Sequence, residues 1–453
     1  MDETSRKLVR YALRTRYEDL APATVAACKS RLLDTLGCIA AAYAHPVTMA
    51  ARTLAERYRM DVNATILGSS REVAPEMAAF ANGVALRVLD LSDMYRVKSG
   101  GHPSDVIAAA LAASELGQRD GRSLIAAIAV AYEVYCACCD GIDLNSQGWD
   151  QPVYGVVAAA LAAARLLALD EARAGHALAL ALVPNMAMYQ TRHGELSSWK
   201  GCAAANASRN GVFAALLAQS GFTGPEQAIE GKHGLWDAVG QFEWPVKPGV
   251  ATRIERTHIK CFPICYHGQS AVWNALALRD RVRVEDIEEV RVATHKTAFA
   301  LMAHAPSRWA PQTAETADHS LPYVVARALI DGRVDESSFV PEALREPRVT
   351  ALMGRIRVAE DPALTARHPE ASPSHIEIVT RDGAKIANDV RYPKGHDKSP
   401  LSAAEVEEKF RSLFAHYGSP AQASRVVEVV QGLESVGDVG ALFEAFKKNR
   451  GER

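Results

Sequence analysis

Long alanine-rich apolar stretches, spaced as helices are, constrain this chain more than any other feature of its sequence. Leu124–Cys139 and Val153–Leu169 are apolar almost throughout, interrupted by Glu133 and Arg165. Both are short for a membrane span, so they read as helices of a protein core. Upstream, Val25, Cys28, Leu32, Leu36 and Ile39 recur at steps of three and four, one buried stripe of a helix. Ser104 is expected to cap a helix from Asp105 to Leu116, with Gly117 as its stop. Further helices are expected at about 123–138, 153–168, 171–183 and 205–219. Alanine at so many of these positions lets backbones approach, so the helices are expected to pack closely.

The periodicity changes after about residue 265. Val290, Val292 and Thr294 alternate with Arg291 and Ala293, and Ile356 and Val358 keep the same period of two. Ile376, Ile378 and Thr380 lead into Asp382-Gly383, and Ile386 to Tyr392 follows, a hairpin signature. Ser402-Ala403-Ala404-Glu405 then reads as a capping box before Val406, Phe410 and Leu413. The expected fold class is therefore mainly α. An all-helical domain is formed by both chain ends, residues 1–264 and 395–453, and an inserted α+β lid domain occupies 265–394.

With 453 residues the chain can bury a large core without disulfides or metal staples. Its formal net charge of −2 gives no global field for nucleic acid or for a membrane surface, so neither is expected as a partner. Met1 to Arg16 is charged throughout and has no continuous apolar run; no secretory leader is read there, and a cytoplasmic location is expected. The eight cysteines read as buried free thiols. Cys136-Ala137-Cys138-Cys139 offers one C-x-x-C spacing, too little for an iron–sulfur hydro-lyase, which needs more thiolates converging. Dinucleotide, P-loop, zincin and nucleophile-elbow motifs do not occur.

Four segments look unlike core filler. In the first, Leu89-Asp90-Leu91-Ser92-Asp93 precedes Gly100-Gly101-His102-Pro103-Ser104. The glycines and proline fix a tight loop before a helix N-terminus, where His102 near Asp90 is a candidate general acid or base facing an anion. The plainer alternative is an exposed loop histidine. In the second, Arg192 to Gly201, Lys200 at the entry of an Ala-rich helix could hold a carboxylate as a point charge; otherwise it is solvated. In the third, Lys260 lies in the apolar run Ile259 to Tyr266, at the boundary of the two textures, and a lone Lys there needs an anion. In the fourth, Glu315 to Tyr323, Tyr323 or His319 could reach across as acid or orienting group. The alternative there is a helix capped by Ser320 with Tyr323 packed inward.

In this order and at these intervals, the four segments resemble the MmgE/PrpD family. The resemblance extends to Arg31-Leu32-Leu33-Asp34-Thr35-Leu36-Gly37, Ala205-Asn206-Ala207, Phe222-Thr223-Gly224-Pro225 and Pro393-Lys394-Gly395-His396, and so spans most of the chain. It implies a helical domain with an inserted lid, a pocket between them, a homodimer, and catalysis with no cofactor and no metal. The positions matching the family's pocket are Asp90, His102, Lys200, Lys260 and Tyr323. Met94 and the run Gly148-Trp149-Asp150-Gln151-Pro152 depart from the decarboxylase branch. Gly194-Glu195-Leu196-Ser197 and Glu315-Thr316-Ala317-Asp318-His319-Ser320 resemble the dehydratase branch.

The reaction expected from this resemblance removes water from a small hydroxy-polycarboxylate such as 2-methylcitrate. Lys200, Lys260 and Arg192 would bind its carboxylates. His102, oriented by Asp90, would carry one proton transfer and Tyr323 or Asp150 the other. Epimerisation of an amino- or imino-dicarboxylate needs the same proton abstraction without a leaving group. Decarboxylation of a tricarboxylate and a non-catalytic binding scaffold are the remaining readings.

Overall fold

The computed structural model describes residues 1–58, 63–69 and 72–447. The described residues are mostly helical, with one four-stranded mixed sheet and two very short hairpins. Helices form at Pro22–Ala41, Gly121–Gly141, Pro152–Leu166, Glu171–Leu182 and Ala203–Gln219, where the apolar periodicity places them. Their starts follow ordinary cap chemistry. Asp120 accepts the N–H of Ser123 and Asp170 that of Arg173, both at 2.8 Å, while Pro22 and Pro152 occupy first turns whose N–H would be unpaired.

One expected cap is not there. The chain leaves His102 through a 3-10 turn, Pro103–Val106, and the α-helix runs Ile107–Leu116, ending at Gly117. Among the described residues the Ser104 hydroxyl caps no helix N–H, and its own N–H donates to Asp93 Oδ1 at 3.0 Å. A carboxylate from the preceding loop thus does the work expected of the serine.

Helix Gly121–Gly141 is long and apolar enough to cross a membrane, but 89% of its most apolar stretch is buried among other helices. Small residues set how closely those helices approach. A Cβ on Gly211 would lie 2.6 Å from the Ala159 Cβ, and one on Gly83 would lie 3.0 Å from Ala205. Helices Pro75–Arg87, Pro152–Leu166 and Ala203–Gln219 therefore meet almost backbone to backbone. The C-terminal helix Ala403–Phe414 starts with the capping box read from sequence: Ser402 and Glu405 exchange hydrogen bonds at 3.2 and 2.7 Å. It packs on Pro22–Ala41, with Phe410 and Leu413 against Gly37.

The buried apolar side chains fall into two main cores. One draws on Leu8 through Ile259 and on Val406 through Phe446; the other draws on Phe262 through Ile378. Residues 448–453 of the expected helical unit lie outside the described residues. In the second core, strand Ile287–Thr294 runs parallel to Ile356–Glu360 and antiparallel to Ser374–Thr380, which forms a hairpin with Lys385–Val390. Helices Gln269–Arg279 and Leu321–Asp331 contribute buried side chains to the same core. The two links between the cores run side by side, with the Ile259 N–H donating to Gly395 O at 2.9 Å.

Candidate active site

Helix Pro75–Arg87 ends in a cation, and three residues later the chain turns at Asp90 with φ +49°. That is the left-handed region, which Asp tolerates better than most side chains. The turn carries the Asp90 carboxylate back over the helix end, where Arg87 Nη1 donates to Oδ1 at 2.6 Å. An antiparallel bridge between Met94 and His258 brings the third segment alongside. Lys260 Nζ then donates to Asp90 Oδ1 at 2.6 Å and to the Asp90 carbonyl at 2.8 Å. Lys200 stands on the 3-10 turn Ser198–Gly201, which approaches closely because Gly201 leaves only 3.1 Å between an imagined Cβ and the Val88 Cα. Its Nζ lies 3.2 Å from Asp90 Oδ2 and 2.6 Å from Asp318 Oδ2, and the other Asp318 oxygen holds His319 Nδ1. Arg87, Lys200 and Lys260 thus face two carboxylates, all of them buried.

His102 is fixed by the loop that holds it. Its N–H donates to the Tyr135 hydroxyl at 2.9 Å, a contact possible because Gly101 has no side chain to collide with Tyr135 and Gln151. Its Nδ1 lies 2.6 Å from the Asp93 carbonyl oxygen. A carbonyl only accepts, so Nδ1 carries the proton and Nε2 presents a lone pair, 3.9 Å from Asp90 Oδ1. Burial, reinforced by Arg87 and Lys260 and opposed by Asp90, holds the ring's pKa well below 6.5. His102 is therefore a neutral imidazole with a free basic nitrogen.

The neighbouring groups are tuned in different directions. Burial alone would raise the Asp90 pKa, but Arg87, Lys200, Lys260 and His102 pull it well below the usual carboxylate value. Burial lowers that of Lys260 against the pull of Asp90. His319 goes the other way: burial and Lys200 disfavour its charge, yet Cys265 and Asp318 raise its pKa above 6.5. Asp105, whose carboxylate oxygens have no hydrogen-bond partner among the described residues, is pushed up to about 7 by burial, against the pull of Arg87 at 3.8 Å.

Residues 6–245 match the MmgE/PrpD N-terminal domain, and residues 262–435 match the MmgE/PrpD C-terminal domain. The chain belongs to the MmgE/PrpD family. Among curated relatives, it is 27% identical to a 2-methylcitrate dehydratase of Cupriavidus necator over 443 residues, covering 91% of this chain and 90% of the relative. A 2-methylcitrate dehydratase of Salmonella typhimurium is also 27% identical, with 88% and 87% covered. A human cis-aconitate decarboxylase is 26% identical, with 92% and 89% covered.

Four of the residues singled out in this MmgE/PrpD chain, Asp90, His102, Lys200 and Lys260, meet in one cluster. Tyr323 does not. Its ring sits in the second core, and its hydroxyl donates to the Ser338 carbonyl. Burial raises its pKa to about 12, and Ser320 caps its helix, so the inward-packed alternative is the one observed. From the same segment it is His319 that reaches the cluster. Asp150 is not a free acid or base either, because Arg192 grips both its oxygens at 3.0 and 3.2 Å. Arg192 also donates to the Lys200 carbonyl at 3.2 Å and so braces that turn, with Nη2 left unpaired.

Sequence reasoning missed Arg87, Asp105, Asp318 as a charge partner, and Cys265. The only cue to Arg87 was a cation three residues before Asp90 at the end of an apolar helix.

Among the described residues, three groups of side chains bring metal-ligand atoms within 4.8 Å of one another. In Asp90–Asp318–His319 the carboxylates already hold Lys200 and Lys260. In His258–His396–Asp397 the carboxylate is taken up by both rings. In His267–His295–His368 two rings stack at 4.1 Å and 11°, which puts their lone pairs in separate parallel planes. Arg96 adds positive charge beside that trio.

A cavity of about 750 Å³ lies between the two cores, and Asp318 forms part of its wall. Asp318 thereby belongs both to the cavity wall and to the Lys200 cluster.

Proposed function

We propose that this protein is a hydro-lyase that removes water from a small hydroxy-polycarboxylate of the 2-methylcitrate type. The observation that carries the reading is the neutral His102, its Nε2 free, set among Arg87, Lys200 and Lys260. Dehydration next to a carboxylate needs a base for a weakly acidic C–H and cations for the enolate charge that develops. His102 Nε2 takes the proton from the carbon. Lys200 and Lys260 hold the adjacent carboxylate and stabilise the charge that gathers on it. His319, whose charged form Asp318 favours, gives its proton to the departing hydroxyl. One C–H and one C–O bond break, one C=C bond forms and one water leaves. Segment 265–394 acts as the lid over this chemistry.

The relatives named 2-methylcitrate dehydratase support the dehydratase reading at 27% identity over most of both chains. Met94 and Asp150, where the decarboxylase branch has other residues, argue against the human relative's reaction. The test is incubation with a panel of hydroxy-tricarboxylates, following alkene absorbance, with solvent-deuterium incorporation measured in parallel. Alkene from 2-methylcitrate is the expected result. Deuterium wash-in at a dicarboxylate carbon without alkene would instead identify an epimerase.

A further inference from the structure

The cavity behind Asp318 has walls of a chemistry that a tricarboxylate alone does not use. Val88 and Leu89 close it on one side, and Pro263, Phe339, Val340 and Leu344 on the other. Val340 is 43% exposed, and Val88, Leu89, Phe339 and Leu344 are only partly buried: each of these four packs on one of the two cores and leaves part of its apolar surface facing the cavity. Glu315, Glu336, Arg345 and His45 also line the cavity, so its charged groups are of both signs and stand among its apolar side chains. The cationic end lies at Lys200, beyond Asp318, and the remainder is mainly apolar, with Glu315 and Glu336 set against Arg345. The two places adjoin at Asp318, which lines the cavity and holds Lys200 at 2.6 Å, and the wall residues Val88, Leu89 and Pro263 flank Asp90 and Lys260 in the chain.

We infer that the substrate is a hydroxy-polycarboxylate bearing an alkyl branch longer than methyl, its carboxylates at Lys200 and Lys260 and its alkyl chain in the cavity behind Asp318. The inference rests on the hydro-lyase reading and adds the class of substituent. A single methyl would occupy a small part of about 750 Å³, whereas a butyl or hexyl chain would cover the apolar wall.

The experiment compares kcat/KM for citrates carrying methyl, butyl and hexyl branches. In parallel it measures the affinity of the matching alkyl tricarballylates, which lack the hydroxyl and cannot be dehydrated. Each buried methylene is expected to raise kcat/KM and affinity by about fourfold until the cavity is full. Val340→Trp, which fills the cavity, should flatten that dependence, and Leu344→Trp provides the same readout if the first variant does not fold. Turnover of methylcitrate with values that stay level or fall with chain length overturns the inference and leaves the hydro-lyase reading standing. Absence of turnover with every citrate overturns the hydro-lyase reading. The tricarballylate series then still decides the cavity: level affinities sink it, and affinities rising with length uphold alkyl binding.

Discussion

Replacing His102 by Asn separates its chemistry from its structural part. The His102 side chain is 11% exposed, so truncation to Ala would open a buried cavity as well as remove a base. Asn keeps an N–H donor for the Asp93 carbonyl, which Nδ1 meets at 2.6 Å, and removes only the Nε2 lone pair. The stability cost should be about 1–2 kcal/mol, typical of a buried substitution with its hydrogen bond retained. The catalytic cost should be 10²- to 10⁴-fold in kcat, about 3–5 kcal/mol in the barrier. Initial rates of alkene formation from 2-methylcitrate, with thermal unfolding of the same samples, measure both. The pH profile adds a second check. His102 must be neutral, and its depressed pKa means activity persists below pH 6.5 and is lost only as pH falls through that lowered value. His319 must be charged, and its raised pKa means activity is lost as pH rises through a value above 6.5. A His102→Asn enzyme that turned over within threefold of the parent would refute the assignment.

Asp90→Asn should cost about 3–5 kcal/mol of stability in urea unfolding, because it removes the carboxylate that Arg87, Lys200 and Lys260 share and leaves these buried cations to Asp318 and the more distant Asp105; a loss under 1 kcal/mol would contradict that reading of the cluster. Tyr323→Phe should change kcat less than twofold while costing about 1 kcal/mol for the lost hydrogen bond to Ser338, and a hundredfold drop in kcat would restore Tyr323 as catalytic. Acid should unfold the protein early. His258 is held down to about 4 by burial, so the unfolded chain binds its proton near pH 6.5 and the folded chain only near 4. Stability from that residue is complete above pH 6.5 and falls by about 3 kcal/mol as pH drops toward 4. Buried His295 and half-buried His368, whose pKa values are likewise lowered by burial, act in the same sense, and chemical denaturation at pH 7, 5.5 and 4.5 reads the slope.

Most of the helical framework was legible because apolar periodicity is a local property; Pro152–Leu166 and the Ser402–Glu405 capping box need no distant partner to be recognised. The sheet strands declared themselves through alternation at Val290–Val292 and Ile376–Ile378. What local pattern cannot carry is which polar group satisfies which. Ser104 had the residue type and position of a cap, but Asp93, eleven residues upstream, took its N–H. Tyr323 and His319 looked equivalent in sequence, and only the packing of helix Leu321–Asp331 turns one inward and leaves the other beside Asp318. Arg87 was hidden because a cation at a helix C-terminus is ordinary dipole chemistry. Asp90, His102, Lys200 and Lys260 stood out because each breaks the character of its surroundings.

The alanine and glycine faces of the helical core have a bearing on precision. Lys200 is carried at the head of Ala203–Gln219, and that helix rests against Pro152–Leu166 and Pro75–Arg87 with no side chain thicker than a methyl at Ala159, Ala205, Gly83 and Gly211. These residues act as shims. A larger one at Gly211 has no room to swing aside, so the helix itself must slide, and the ammonium group at its head shifts with it. Substitutions several turns from any charged group would then register as misaligned chemistry, and the tolerance of this enzyme to mutation should be read along its helix seams as much as around its histidine.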